Sequence, residues 1–144
     1  MGVLWEKIIS LNEINSLTKN SIVEKTGICF TEIGDDFLKA SMPVDERTKQ
    51  PLGILHGGAS VVLAETLGSM ASYMTLDENH YCVGLEIKAN HLQNVSKGLV
   101  IGMVMPVNLS KTNQLWDIII TDEDGQMICV SRLTMVILKK NGID

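Results

Sequence analysis

The stretch PLGILHGGASVVLAETLGSMASYMTL, from Pro51 to Leu76, decides the fold: across twenty-six residues Glu65 is the only acid or base apart from His56. Beyond Gly57-Gly58, the apolar residues Val61, Val62, Ala64, Leu67, Met70, Ala71 and Met74 cover most of a helical circumference. That period predicts one long helix from Ala59 to Thr75. A helix apolar on so many sides must be wrapped by other elements, not laid on a surface. A carboxylate set into it costs several kcal/mol to desolvate unless it is paired or hydrogen-bonded. Glu65 therefore calls for a reason, and catalysis is the leading one.

On the N-terminal side, Ser10 with Glu13 and Ser21 with Glu24 are two capping-box signatures, and Gly27 supplies a stop after the second short helix. From Ile28 to Val44 the apolar residues alternate around Gly34-Asp35-Asp36, which reads as a hairpin whose second strand Pro43 ends. On the C-terminal side, Val83, Leu85, Ile87, Ala89 and His91 alternate with Gly84, Glu86, Lys88 and Asn90, the period of a half-buried strand. Three further strands, LVIGMVMPV (99–107), WDIII (116–120) and MICVSRLTMVIL (127–138), carry apolar residues on both faces. Asp124-Gly125 turns the last two into a hairpin. The order is two short helices, a hairpin, one long helix and four strands. That is an α+β arrangement with the helix on one side of five or six antiparallel strands. The apolar second face implies a second copy of the chain against it.

The length, 144 residues, suits one domain over 1–144 with a real core. Twelve Lys and Arg against seventeen Asp and Glu give a net charge of -5, with no basic cluster, which argues against nucleic acid as a partner. Cys29, Cys82 and Cys129 are widely spaced with no CxxC pair. They read as buried thiols in a reducing cytoplasm, and neither zinc nor a redox couple is expected. The N-terminal MGVLWEKIIS carries Glu6 within its apolar stretch and lacks a small-residue cleavage site, so no signal peptide is expected. No unbroken apolar run reaches the roughly 18 residues of a spanning helix. A soluble protein off the membrane is expected.

MPVDERTKQPLGILHGGASVVLAETLGS (42–69), VGLEIKANH (83–91) and SRLT (131–134) resemble the hotdog-fold acyl-CoA thioesterases. Within them the chain is most similar to the branch that includes the phenylacetate-pathway enzymes and the dihydroxynaphthoyl-CoA hydrolases of menaquinone synthesis. The specific part is HGGAS with a glutamate seven residues after the second glycine, preceded by Gln-Pro and followed by Gly-Ser. The resemblance implies a long helix wrapped by a curved antiparallel sheet, paired as homodimers and as dimers of dimers, with an acyl-CoA substrate and no metal or other cofactor.

Thioester hydrolysis needs a nucleophile or a base to make one, polarisation of the carbonyl oxygen, and a place for the acyl and carrier portions. Gly57 and Gly58 stand where a loop enters the long helix, where amides lack intrahelical partners and meet the positive end of the dipole. We assign carbonyl-oxygen binding to the Gly57 amide. The resemblance makes Glu65 the catalytic carboxylate, acting on the thioester carbon or through a water. Ser69, one turn further on the same face, is placed to hold the carboxylate or that water. Gln50 and His56 match family positions that reach the substrate from the neighbouring subunit, so the site would straddle a dimer interface. His91 matches a position near the acyl pocket, and Lys111 and Arg132 are candidates for the coenzyme A phosphates. The leading function is hydrolysis of an aromatic acyl-CoA, with dihydroxynaphthoyl-CoA as the sharper form. The alternatives are clearance of misacylated carrier-protein thioesters and a noncatalytic acyl-CoA binding module. Retention of Glu65 together with Gln50, His56, Gly57 and Ser69 counts against a pure binder.

Overall fold

A computed structural model describes residues 2–141. Its elements follow the expected order: α1 (Leu11–Leu17), α2 (Ile22–Lys25), β1 (Cys29–Ile33), β2 (Leu38–Pro43), α3 (Gly57–Thr75), β3 (His80–His91), β4 (Leu99–Leu109), β5 (Asn113–Asp122) and β6 (Met127–Lys139). The six strands form one antiparallel sheet in the order β1-β2-β4-β5-β6-β3. β2 lies toward one edge and β3 forms the other, so α3, which joins them, must cross the sheet. This is the hotdog arrangement. One stripe of α3, including Leu63, Ala64, Leu67, Ala71 and Met74, is fully buried against Ile118, Ile120, Leu133 and Met135 of the sheet. Each such Leu or Met contributes about 1.5–3 kcal/mol on burial.

The local starts and stops have identifiable causes. Ser10 and Glu13 form the full reciprocal capping box, whereas at Ser21 only half of it closes: Ser21 Oγ accepts from the Val23 amide and Glu24 reaches back to Asn20 instead. Helix α3 begins at Gly57, two residues earlier than the apolar period indicates, because the His56 ring acts as its N-cap. Gly27 (φ +80°) and Gly125 (φ +84°) occupy the left-handed conformations that their turns require.

Both sheet edges bear on the site. At β1, Asn15 of α1 imitates a neighbouring strand: its side-chain amide donates to the Phe30 carbonyl at 3.1 Å and accepts from the Phe30 amide at 2.9 Å. This covers the edge. The other edge, β3, pairs with β6 alone, and its far side meets no strand among the described residues. β3 also departs from the even alternation expected of it. A bulge between Gly84 and Glu86 shifts the register, so Val83 and Leu85, 44 % and 65 % exposed, leave the face that holds Ile87 and Ala89. An extra residue in one strand of a pair exchanges inward for outward from that point on.

The second face of the sheet is half-buried: β5 alternates buried and intermediate residues from Gln114 to Ile120. The cysteine expectation holds in part, since Cys129 is buried and Cys82 half-buried, but Cys29 is exposed on the edge strand. Burial pushes the Cys82 and Cys129 thiols up. Among the described residues, no helix is long and apolar enough to cross a membrane.

Candidate active site

The loop from Asp45 to His56 is held firmly by its own backbone. Thr48, almost fully buried, donates its hydroxyl to the Pro43 carbonyl at 2.7 Å, and its carbonyl accepts from the His56 amide at 2.8 Å. The Leu55 amide donates to Val95 at 2.7 Å, and the Gln50 amide to Ile54 at 2.8 Å. This frame delivers Gln50 and His56 to the N-terminus of α3. The Gln50 side-chain oxygen accepts from the Leu52 amide, which leaves its NH₂ group as a donor. Together Gln50, Pro51, Leu52, His56 and Gly57 line an open depression of about 430 Å³.

His56 Nδ1 accepts from the Gly58 amide at 2.7 Å. An accepting Nδ1 carries no proton, so in the neutral ring Nε2 is the donor. The Ala59 and Ser60 amides both reach the His56 carbonyl. Of the first-turn donors, the Gly57 amide is left without an acceptor among the described residues, at the positive end of a 19-residue helix. His91 closes this end from β3. A Cβ on residue 57 would lie 3.0 Å from His91 Nε2, tighter than an ordinary van der Waals contact, so a side chain there would make the imidazole give way by a few tenths of an ångström.

Glu65 and Ser69 lie deeper along α3. Both line a cavity of about 420 Å³ with apolar walls from Ile22 and Val23 of α2 and Val62, Met70 and Tyr73 of α3. The carboxylate stands over the β3 bulge, where a Cβ on residue 84 would come within 2.7 Å of Glu65 Oε2. Gly84 thus makes room for the acid. Among the described residues no salt bridge reaches Glu65. Ser69 Oγ is turned toward Met135 Sδ at 3.9 Å, not toward the carboxylate.

The structure thus divides the sequence candidates into groups. Gln50, His56, Gly57 and His91 share the helix N-terminus. Glu65 and Ser69 share the apolar cavity about 12 Å further along the helix axis, eight residues on from Gly57. Lys111 lies beside the opposite end of α3, in a cavity with Leu76, Asp77 and His80. Arg132 is on the outer sheet face, where Asp117 holds its guanidinium through two bonds at 2.8 and 3.1 Å. Gly84 was not foreseen as part of the site, since only the bulge brings it to face Glu65.

A family model described as the thioesterase superfamily matches residues 52–129, the span from the Gln50 loop through α3 to β6. The chain belongs to the thioesterase superfamily. The proofreading thioesterase EntH of Cronobacter sakazakii is 48% identical over 136 residues, 94% of this chain and 99% of that one. A solved glutamine-to-alanine mutant of thioesterase PA1618 from Pseudomonas aeruginosa superposes with a TM-score of 0.93 at 48% identity, covering 94% of this chain and 99% of that one. Thioesterase HI1161 of Haemophilus influenzae gives the same TM-score at 46% identity, covering 95% and 96%. The thioesterase reading of the HGG…E segment therefore stands, and the chain is a thioester hydrolase. The narrower resemblance to the menaquinone branch is not what these relatives are named for.

Proposed function

We propose that this thioesterase clears wrongly loaded carrier proteins by hydrolysing acyl groups from their pantetheine arms. The observation that carries the reading is the near full-length similarity to a proofreading thioesterase, together with an open apolar cavity beside a carboxylate that has no ionic partner among the described residues. Glu65 acts on the thioester carbon, directly or by taking a proton from water. By the water route the hydroxyl oxygen bonds to the carbon, the carbon–sulfur bond breaks to free the acid, and the pantetheine thiolate takes the proton back from Glu65. By the direct route a Glu65 oxygen bonds to the carbon and displaces the thiolate, which takes a proton from solvent, and a water then hydrolyses the resulting anhydride to release the acid and restore the carboxylate. The Gly57 amide holds the carbonyl oxygen as it gains charge, a contribution of about 2.7–4 kcal/mol for one well-placed donor.

Within one chain the amide end and the carboxylate lie in separate cavities. A complete site therefore calls for a second copy, whose Gln50, His56 and Gly57 would meet this chain's Glu65 and Ser69. The free edge of β3, which bears Gly84 opposite Glu65, is the surface that brings two copies together. A further pairing would cover the half-buried outer sheet face, giving a dimer of dimers. Lys111 would meet phosphates only from such a neighbour, and Arg132, whose guanidinium is held by Asp117, would not reach them.

The second reading, hydrolysis of an aromatic acyl-CoA such as dihydroxynaphthoyl-CoA, draws on the motif resemblance and on a cavity walled by Met70 and Tyr73, which suits a flat ring. Thiol release separates the two. The same acyl groups, aromatic and aliphatic, are offered on coenzyme A and on a phosphopantetheinylated carrier protein, with Glu65→Gln as control. A higher kcat/KM on the carrier across several acyl groups supports proofreading. A single aromatic CoA ester that exceeds every carrier substrate supports the second reading.

A further inference from the structure

The cavity beside Glu65 is not isolated. A second cavity, of about 530 Å³, lies between the N-terminal segment and α1, and among the described residues Tyr73 is the one side chain that lines both. Tyr73 follows Glu65 by eight residues, with Ser69 midway, so all three occupy one side of α3 and the backbone of Tyr73 stands about 12 Å along the axis from that of Glu65. The ring is 38 % exposed, consistent with open space on its two sides.

The ring is also held in place. Lys7 Nζ lies 4.4 Å from its centroid. That ammonium donates to the Tyr73 carbonyl at 3.0 Å and to the Leu76 carbonyl, while the Lys7 backbone amide donates to Met74 at 3.0 Å. A cation fixed at three points over an aromatic face restrains the ring. Beyond the ring the lining changes from apolar to mixed, with Lys7, Asn12, Glu13 and Ser16 beside Ile9 and Leu17.

We infer that Tyr73 is the end wall of the acyl cavity and sets the longest acyl chain this thioesterase accepts, with Lys7 as the residue that positions the wall. The inference rests on the acyl group lying in the Glu65 cavity. A chain that fits short of the ring is hydrolysed; a longer one meets the ring before its carbonyl reaches Glu65. Removing the ring joins the two cavities and lets the chain continue.

The test is kcat/KM for unbranched acyl groups from butanoyl to hexadecanoyl, on coenzyme A and on a carrier protein, for the wild type, Tyr73→Ala, Tyr73→Phe, Lys7→Met and Glu65→Gln. Tyr73→Ala is expected to raise the ratio of kcat/KM for the longest chains to that for the shortest by about tenfold or more. Tyr73→Phe keeps the wild-type cutoff because it keeps the ring, and Lys7→Met falls between. A far-UV circular dichroism spectrum like that of the wild type shows that a variant is folded. An unchanged length profile in folded Tyr73→Ala, including an equal loss at every length, overturns the wall and leaves the thioesterase site standing. Glu65→Gln turning over at the wild-type rate overturns both.

Discussion

The two ends of α3 solve opposite problems. At the C-terminal end every buried polar group is matched: Ser72 donates to Gln114 Oε1 at 2.6 Å, the Trp116 ring nitrogen donates to the same oxygen at 3.3 Å, and Gln114 Nε2 donates to Thr75 Oγ1 at 2.9 Å. Lys7 covers the last carbonyls, and Trp5 stacks on Trp116 with ring centroids 6.5 Å apart. Further toward the N-terminus the groups are left open, with the Gly57 amide unpartnered among the described residues and Glu65 beside a cavity without a cation. One end is satisfied and anchors the helix to β5. The other holds donors and a charge in reserve for something that arrives, which is how a rigid scaffold presents reactive groups.

The largest effect expected from breaking this contrast is at Glu65. Glu65→Gln should lower kcat by about 10²–10⁴-fold with a smaller change in KM, since the carboxylate acts on the transition state. Its thermal midpoint should equal or exceed that of the wild type, because an unpaired charge is removed from an apolar wall. Gln114→Leu at the anchored end should do the reverse. It strands the Ser72 hydroxyl and the Trp116 nitrogen, while Thr75 keeps its bond to the Ser72 carbonyl; it destabilises by about 1–3 kcal/mol in urea titration and leaves kcat nearly unchanged.

Gly57→Ala sharpens the comparison, because the new methyl meets the His91 ring at the amide end. Activity should fall by about tenfold, and His91→Ala in the same chain should restore part of it, a coupling that a double-mutant cycle measures. The smallest effect belongs to Arg132→Ala on the outer face. With its guanidinium already held by Asp117, KM for acyl-CoA should change by less than about twofold.

Much of the fold was legible because it rests on period and punctuation. The apolar circumference of residues 59–75 required a wrapped helix, and the Gly34-Asp35-Asp36 and Asp124-Gly125 turns stand where the chain reverses. Glu65 stood out because an acid is costly in such a helix. The missed features depend on contacts between distant segments. The β3 bulge reverses the side on which Val83 and Leu85 project, and no local pattern announces an extra residue in one strand of a pair. Histidine is an unusual N-cap, so the early start of α3 was hidden. Lys7 and Trp5 act on partners 66 and 29 residues away, Tyr73 and Gly34, which only the folded chain reveals.

The most direct test of a site shared between subunits is a purified heterodimer carrying Gln50→Ala in one subunit and Glu65→Gln in the other, each subunit bearing a different affinity tag. In a shared site one of the two composite sites is intact, so thiol release should recover to about half the wild-type rate per dimer although each homodimer is nearly inactive. If Glu65 works with the Gln50 of its own chain, both sites are broken and the heterodimer is no faster than either homodimer, which would contradict the shared site.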